Sequence, residues 1–223
     1  LRRVSLAFCR HIPRHRHCTH LPYTTLFRST DTLLKGVSRQ VEVAGKTVTI
    51  TGIAKGSGMI HPDMATMLAY VATDAAIAKD LLDACLQKSV QSSFNSITVD
   101  GDTSTNDACV LIATGQSDIE FSNLSDMGFS AFEAALVEVF EYLAQAIIRD
   151  AEGATKFVSL KVINACNQSD AQKVAYTIAH SPLVKTALFA SDPNWGRILA
   201  AVGRSGVSLD IDEIEIYLDD VCI

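Results

Sequence analysis

No stretch of the sequence reaches the roughly 20 consecutive apolar residues that a membrane-spanning helix requires. The most apolar segments, residues 108–114 and 136–148, are short or interrupted by charges. The 12 glycines and 5 prolines are too few for a linker or low-complexity chain, and 48% hydrophobic residues in 223 suffice for a buried core. We therefore expect a folded protein without a membrane partner.

Paired cysteine motifs are also absent, because the six cysteines are scattered and none forms a C-x-x-C pair. Four histidines and two cysteines do fall in residues 1–29, but their spacing matches no compact four-ligand zinc module. The sequence thus favours reduced thiols, a cytoplasmic location and no metal.

Acidic residues are missing from residues 1–29, which contain six arginines. Within them, residues 22–29 are similar to one reading frame of a common sequencing adapter. We interpret residues 1–29 as a non-native or disordered extension. The rest of the chain holds 13 of the 19 basic residues and all 25 acidic ones, so it lacks the cationic surface that nucleic acid requires.

From residue 30 onward, the apolar pattern changes between strand and helix periods. No regular β-α-β alternation is present, which argues against a doubly wound parallel sheet. The expected fold is α/β (α+β), a sandwich of β-sheets covered by helices. The pattern predicts strands at 41–43 and 48–51, joined as a hairpin around residues 44–46, and further strands at 67–73, 95–99, 108–114, 157–163, 197–202 and 213–218, with a loop at 52–64. It predicts helices from a cap at 73–74 to Val90, from a capping box at Ser130–Glu133 to Ile147, and at 170–180. The second helix has an apolar face formed by Phe132, Leu136, Val139, Phe140, Leu143 and Ile147.

Several familiar ligand motifs fail on inspection. The glycines of Gly52–Gly58 do not follow the phosphate-loop order, and Asp100–Asp107 lacks the glycine and the bidentate glutamate of a calcium loop. No G-x-S-x-G elbow is present. We expect Asp100, Asp102 and Asp107 to accept hydrogen bonds from backbone donors of a tight loop.

One loop leads directly into a buried strand that starts at Thr66, after the small residue Ala65. If the Ala65–Thr66 bond is cut, Thr66 gains an α-amino group with a reference pKa of about 8, which can act as base for its own hydroxyl. Spacing alone leaves open that Thr66 merely begins a strand.

Four motifs in order change that balance: Lys55–Tyr70, Thr98–Asp107, Arg149–Lys156 and Asp192–Arg197. Together they resemble the ornithine acetyltransferase family of arginine biosynthesis, the ArgJ type. The resemblance runs from about Thr30 to the end and implies the family's self-cleaving fold, which is similar to that of N-terminal nucleophile enzymes.

The resemblance implies specific residues. Cleavage falls between Ala65 and Thr66, and Thr66 is the nucleophile. Lys55 and Glu152 match substrate-binding positions, and a further binding position falls on Ser29 or Thr30. Residues 30–65 would then end the α chain, and residues 66–223 would form a truncated β chain.

The implied reaction transfers acetyl from N2-acetylornithine to glutamate through an acetyl-threonine intermediate. Acetyl-CoA serves some members as donor, and no other cofactor is implied. The two pieces of the full enzyme would assemble as two α and two β chains in the cytoplasm.

The sequence also departs from the family pattern. The family's oxyanion threonine and glycine, and its binding residues near the carboxyl end, find no match in residues 30–223. We therefore expect a fragment of a glutamate N-acetyltransferase with little or no transfer. Two alternatives stay open: a threonine-nucleophile aminopeptidase or amidohydrolase, and a noncatalytic binding domain in which Ala65–Thr66 stays intact.

Overall fold

The computed structural model describes residues 30–61, 67–103 and 108–223, together with the backbone of strand β1 at Arg3–His11. The chain divides into two compact units. We call His17–Glu152 the central unit, and Leu1–Arg16 with Gly153–Ile223 the terminal unit. Each unit has its own sheet and its own buried apolar core.

The central unit is built on a four-stranded sheet in the order β2-β3-β4-β6. Strands β2, β3 and β4 are antiparallel neighbours, and β6 joins β4 in parallel. A separate pair, β5 and β7, is parallel. The elements are β2 (Lys35–Val43), β3 (Lys46–Lys55), β4 (Leu68–Thr73), β5 (Ala76–Ile77), α1 (Lys79–Ser92), a 3-10 turn (Phe94–Ser96), β6 (Ala108–Ala113), β7 (Glu120–Phe121) and α2 (Phe129–Arg149).

The predicted hairpin is confirmed and is longer than expected. Ala44 and Gly45 both have positive φ, 51° and 76°, as a two-residue hairpin turn with the twist of its strands requires. Strand β3 continues through Gly52 to Lys55, so the predicted loop begins only at residue 56. Gly52 is required within the strand because a Cβ there would lie 2.8 Å from a Leu143 methyl group.

Helix α2 covers one face of this sheet, and its predicted apolar face is confirmed. Burial of each large apolar side chain on this face contributes about 1.5–3 kcal/mol to the free energy of folding. The helix starts after Gly128, whose φ is 82°, and Glu133 pairs with Lys88 at 2.7 Å, so the predicted capping box is not formed. The fully buried residues of the face are Phe132, Leu136, Val139, Phe140, Leu143 and Ile147.

Two other predictions in the central unit were wrong. Helix α1 begins after Ala78, because Asp74 accepts a hydrogen bond from the Thr49 N–H at 2.9 Å and caps no helix. The strand predicted at 95–99 starts with the 3-10 turn Phe94–Ser96, where Phe94 packs against Phe140 with ring centroids 5.7 Å apart. Tertiary packing of that ring overrides the weak strand pattern.

The terminal unit has a second four-stranded sheet, in the order β10-β9-β1-β8. Its core contains buried residues of three helices together with Ile216 of β9. The predicted strand at 157–163, helix at 170–180 and strand at 213–218 are confirmed. The elements are β8 (Lys156–Ile163), α3 (Gln168–Ala179), α4 (Pro182–Phe189), α5 (Trp195–Gly203), a 3-10 turn (Ile211–Glu213), β9 (Glu215–Leu218) and β10 (Val221–Cys222).

The strand predicted at 197–202 was wrong, since this segment lies in α5. Asn194 caps the helix by accepting the Arg197 N–H at 3.2 Å. Ile198, Ala201 and Val202 are buried at helical spacing, a pattern that a short apolar run shares with a strand. The sequence did not predict α4, which Ser181 caps ahead of a proline at its first position.

One strand lies within residues 1–29. Arg3–His11 forms β1, antiparallel to β8 and parallel to β9. A strand between β8 and β9 gives backbone partners to edges that would otherwise lack them. Residues 12–29 lie outside the described residues, and the non-native origin of residues 1–29 stays a prediction. In the described part of the chain, no helix is both long and apolar enough to cross a membrane.

Candidate functional site

Lys55 is the last residue of β3 and is paired in register with Leu68, the first residue of β4. The chain leaves the sheet at Gly56, whose φ of 150° is readily adopted only by glycine. The Lys55 side chain is half-buried and forms no hydrogen bond or ion pair with the residues that the structure describes. Lys55 thus places a cation where the chain leaves the sheet.

A cavity of about 230 Å³ opens beside Lys55. It combines one cation with carboxylates and with the backbone of a glycine-containing loop, all contributed by the central unit. The lining therefore offers charges of both signs to a small ligand. The lining residues are Thr30, Asp31, Lys55, Gly56, Ser57, Gly58, Met59 and Glu152.

Asp100 binds the backbone at the end of this loop. Its carboxylate accepts hydrogen bonds from the backbone N–H groups of Met59 at 2.6 Å, Ile60 at 3.1 Å and Asp102 at 3.1 Å. Met59 has a left-handed φ of 57°, which these bonds help to maintain. The prediction for Asp100 is confirmed. Asp107 lies outside the described residues.

Glu152 follows α2 and contacts the same loop. Its backbone N–H donates to the Ser57 carbonyl oxygen at 2.8 Å. A Cβ added to Gly58 would lie 3.0 Å from Oε2 of Glu152 and 3.8 Å from Oδ2 of Asp100. The Glu152 carboxylate thus lies directly against Gly58, three residues after Lys55.

A buried ion cluster lies behind the cavity. The Lys35 ammonium contacts the carboxylates of both Asp31 and Asp150, the latter at 2.6 Å. The exposed fractions of these side chains are only 1%, 5% and 2%. Asp31 also accepts the Gly56 N–H at 2.8 Å, so the cluster contacts the loop directly.

Asp150 is the most heavily bonded member of this cluster. It accepts the backbone N–H groups of Thr32 at 2.9 Å and Leu33 at 3.1 Å, together with the Thr32 hydroxyl. Burial alone would raise the pKa of Asp150, but the hydrogen bonds from Lys35, Thr32 and Leu33 outweigh it and hold the pKa below its ordinary value. Asp150 is therefore ionised in the folded protein at neutral pH.

The two described thiols of the central unit, Cys85 and Cys109, are poor nucleophiles. Burial raises the pKa of Cys85 to about 11 and that of Cys109 to about 12. Both thiols stay protonated near neutral pH, and only the deprotonated thiolate is a reactive nucleophile. Among the described residues, no group of three or more His, Cys, Asp and Glu side chains is placed to hold a metal ion.

The family model described as "ArgJ family" matches residues 10–223. The chain belongs to the ArgJ family. The match covers the described part of the central unit, including every residue that lines the cavity.

Relatives of this ArgJ-family chain carry the name "Arginine biosynthesis bifunctional protein ArgJ". The protein of Pseudomonas syringae pv. tomato is 55% identical over 197 residues, which are 87% of this chain and 49% of the relative. That of Methylococcus capsulatus is 57% identical over 196 residues, 87% of this chain and 48% of the relative. The chain thus spans about half the length of these relatives.

A solved ArgJ structure supports the fold. The crystal structure of the Arginine biosynthesis bifunctional protein ArgJ from Bacillus halodurans is 42% identical and superposes with a TM-score of 0.58. The match covers 63% of this chain and 66% of that one. The predicted α/β class is confirmed.

The structure brings together three of the site residues that the ArgJ resemblance suggested. Lys55, Glu152 and Thr30 line the same cavity. Ser29, Ala65 and Thr66 lie outside the described residues, so their roles stay predictions. Met67, which follows Thr66 in the sequence, is buried, and its carbonyl accepts the Ala108 N–H at 3.2 Å.

Sequence reasoning missed the ion cluster of this ArgJ-family chain. One signal was available: Asp150 caps the C-terminus of α2, where the helix dipole disfavours an acid unless it is paired. Asp31 and Lys35 are four residues apart just before and at the start of β2, a spacing that has no special meaning outside a helix.

Proposed function

We propose that this chain carries the nucleophile-bearing part of an acetyltransferase that moves acetyl from N2-acetyl-L-ornithine to L-glutamate in arginine biosynthesis. Membership of the ArgJ family supports the reaction class. The observation that carries the substrate assignment is the placement of Lys55 and Glu152 on one small cavity. A cation and an anion that line one cavity complement a substrate that is itself doubly charged.

The proposed chemistry begins with hydrolysis of the Ala65–Thr66 peptide bond, in which one water molecule supplies the oxygen of the new Ala65 carboxylate and the proton of the new Thr66 amine. The new α-amine of Thr66 takes the proton from its own hydroxyl while the oxygen attacks the acetyl carbonyl carbon. The C–N bond of acetylornithine then breaks, and the departing amine takes that proton, leaving acetyl on Thr66. The α-amine of glutamate attacks this ester, and the threonine oxygen regains a proton as N-acetylglutamate leaves.

The charged residues orient the substrate in this scheme. Lys55 faces the substrate carboxylate, and Glu152 faces its δ-ammonium. Held in this way, the acetyl group gains the proximity advantage of an intramolecular reaction. Acetyl-CoA is an alternative donor, and the scheme needs no bound cofactor. The assembly of two α and two β chains, in the cytoplasm, belongs to the same proposal.

Single-turnover labelling of the 223-residue chain tests the proposal. After denaturation, intact-mass analysis should show two pieces, one beginning at Thr66. Incubation with N2-acetylornithine over hours should add one acetyl group to that piece, and glutamate should remove it. Long incubation accommodates the loss of about 100- to 1000-fold in rate that a missing oxyanion donor causes.

Other outcomes distinguish the alternatives. Acetyl loss that is equally fast without glutamate would favour an amidohydrolase. A single uncleaved species that takes up no acetyl would contradict the acetyltransferase proposal and favour a binding domain. Replacing Thr66 by alanine must abolish labelling if the acetyl is carried there.

A glycine pair tests the cavity separately. Gly58→Ala places a methyl group 3.0 Å from the Glu152 carboxylate, which must move away. We expect the affinity for N2-acetylornithine, measured by calorimetry, to fall about tenfold, or about 1.4 kcal/mol. Gly203→Ala is the control, since its added methyl group meets nothing within 4 Å. Equal affinities in the two variants would remove Glu152 from the proposed site.

A further inference from the structure

Lys35 is the most deeply buried charged side chain of the described ion pairs, and its ammonium is engaged by two carboxylates. Neither Lys35 nor Asp150 lines the cavity. Desolvating three charged groups is costly, and apolar residues of similar size would often fill such a space with equal or greater stability. The cluster therefore calls for an explanation other than stability alone.

One arm of the cluster reaches the loop that follows Lys55. Asp31 receives the Lys35 ammonium and the Gly56 N–H on the same carboxylate oxygen. Gly56 is the residue at which the chain leaves β3, so this bond fixes the direction of the loop immediately after Lys55. A hydrogen bond to a charged acceptor is directional and stronger than a neutral one.

The other arm reaches Glu152. Asp150 binds Lys35 through its carboxylate and accepts the Ser57 hydroxyl on its backbone carbonyl at 3.1 Å. Ser57 is buried, and its own carbonyl accepts the Glu152 N–H at 2.8 Å. Residues 56–57 are thus bonded to Asp31 on one side and to the Asp150–Glu152 segment on the other.

We propose that the Asp31–Lys35–Asp150 cluster is a positioning device that couples the Lys55 end of the cavity to the Glu152 end, so that the two charged walls keep a fixed separation. Lys35 and Asp150 act through other residues and touch no ligand. The consequence for substrate recognition rests on the proposed function; the mechanical coupling does not.

Hydrogen exchange of single amides tests the coupling without any ligand. Asp150→Asn keeps the shape of the side chain and removes its charge. We expect it to accelerate exchange of the Gly56 amide, which Asp150 does not contact, by about tenfold, the change for one lost hydrogen bond to a charged group. Asp31→Asn should likewise accelerate exchange of the Glu152 amide.

Two controls separate coupling from general loosening. The Val71 amide, in the central strand β4, reports on the sheet as a whole and should exchange at the wild-type rate in both variants. Ile50→Val lowers stability away from the cluster and should not accelerate Gly56 and Glu152 selectively. If each aspartate variant accelerates only the amides bonded to that aspartate, the proposal is wrong.

Ligand affinity tests the consequence for recognition. Asp150→Asn should weaken N2-acetylornithine binding about tenfold in the wild-type background, yet change it little in the Glu152→Gln background, because both substitutions disturb one contact. A purely structural role would give the same factor in both backgrounds and would overturn the recognition claim. If the wild-type chain binds no acetylornithine, the proposed function fails, while the exchange data still decide the coupling.

Discussion

The central unit contains lysine–carboxylate pairs in two very different settings. Lys35 lies 2.6 Å from Asp150, and Lys88 lies 2.7 Å from Glu133. The separations are nearly equal, but the Lys35 side chain is 1% exposed and that of Lys88 is 61% exposed. Distance alone therefore does not rank these pairs.

Surroundings decide what each pair contributes. An exposed pair exchanges water contacts for a screened attraction and contributes about 0–1 kcal/mol. A buried pair has already lost its hydration, so removal of one partner leaves an uncompensated charge in an apolar region. In the Lys35 cluster, removal of the ammonium would leave two buried carboxylates without a counter-charge. Cluster and surface pairs should therefore respond to the same substitution by very different amounts.

The largest effect is expected for Lys35→Met, which keeps the aliphatic stem and removes the ammonium. Asp31 and Asp150 would then be buried together without a counter-charge. We expect the free energy of unfolding to fall by about 3–5 kcal/mol. Urea denaturation followed by circular dichroism measures this change, with Lys88→Met as the matched surface control.

The distinction between the buried and the surface pair would fail if the free energy of unfolding fell by less than about 1 kcal/mol in both methionine variants. Such a result would mean that water reaches Asp31 and Asp150 in solution. The opposite result, a Lys35→Met variant that does not fold, would agree with the expectation. The measurement would then be made on Asp150→Asn, which leaves Lys35 paired with Asp31 alone.

The next largest effect is expected on the pH dependence of stability, through Asp150. Burial opposes ionisation of Asp150, but Lys35 and the donors of Thr32 and Leu33 outweigh it, so the pKa is lower in the folded than in the unfolded state. The unfolded state therefore binds the proton first as the pH falls. The stabilisation is complete above the unfolded-state pKa and is lost as the pH falls through the folded-state pKa.

Urea denaturation midpoints, measured from pH 7 downward, test whether acid lowers stability through Asp150. The wild-type chain should lose stability more steeply with acid than Asp150→Asn does. Ile50→Val, which is destabilised without a change in charge, should parallel the wild type at a lower level. Parallel curves for Asp150→Asn and the wild type would show that Asp150 does not contribute to the acid response.

Patterns within one element predicted more of this molecule than contacts between elements. The apolar face of α2 could be predicted because six side chains recur at helical spacing within a single segment. The hairpin could be predicted because Ala44 and Gly45 interrupt an alternating pattern. The segment at 197–202 failed because a short apolar run satisfies both periods until its cap, Asn194, is considered.

The candidate site divides in the same way. Lys55 and Glu152 followed from a family motif, and the structure places both on one cavity. The pairing of Lys35 with Asp150 could not be predicted, because the two residues are 115 positions apart and meet only when α2 ends beside the start of β2. In the sequence, Asp31, Lys35 and Asp150 cannot be distinguished from ordinary exposed charged residues.

The smallest effect is expected for Lys46, whose ammonium lies 3.1 Å from Asp118 with both side chains largely exposed. A double-mutant cycle with Lys46→Met and Asp118→Asn should give a coupling of about 0.2–1 kcal/mol. At 1 M salt, where the Debye length is about 3 Å, that coupling should vanish. The destabilisation by Lys35→Met should persist there, because mobile ions cannot enter the space from which water is excluded. A salt-sensitive Lys35 effect would therefore place the cluster among the surface pairs.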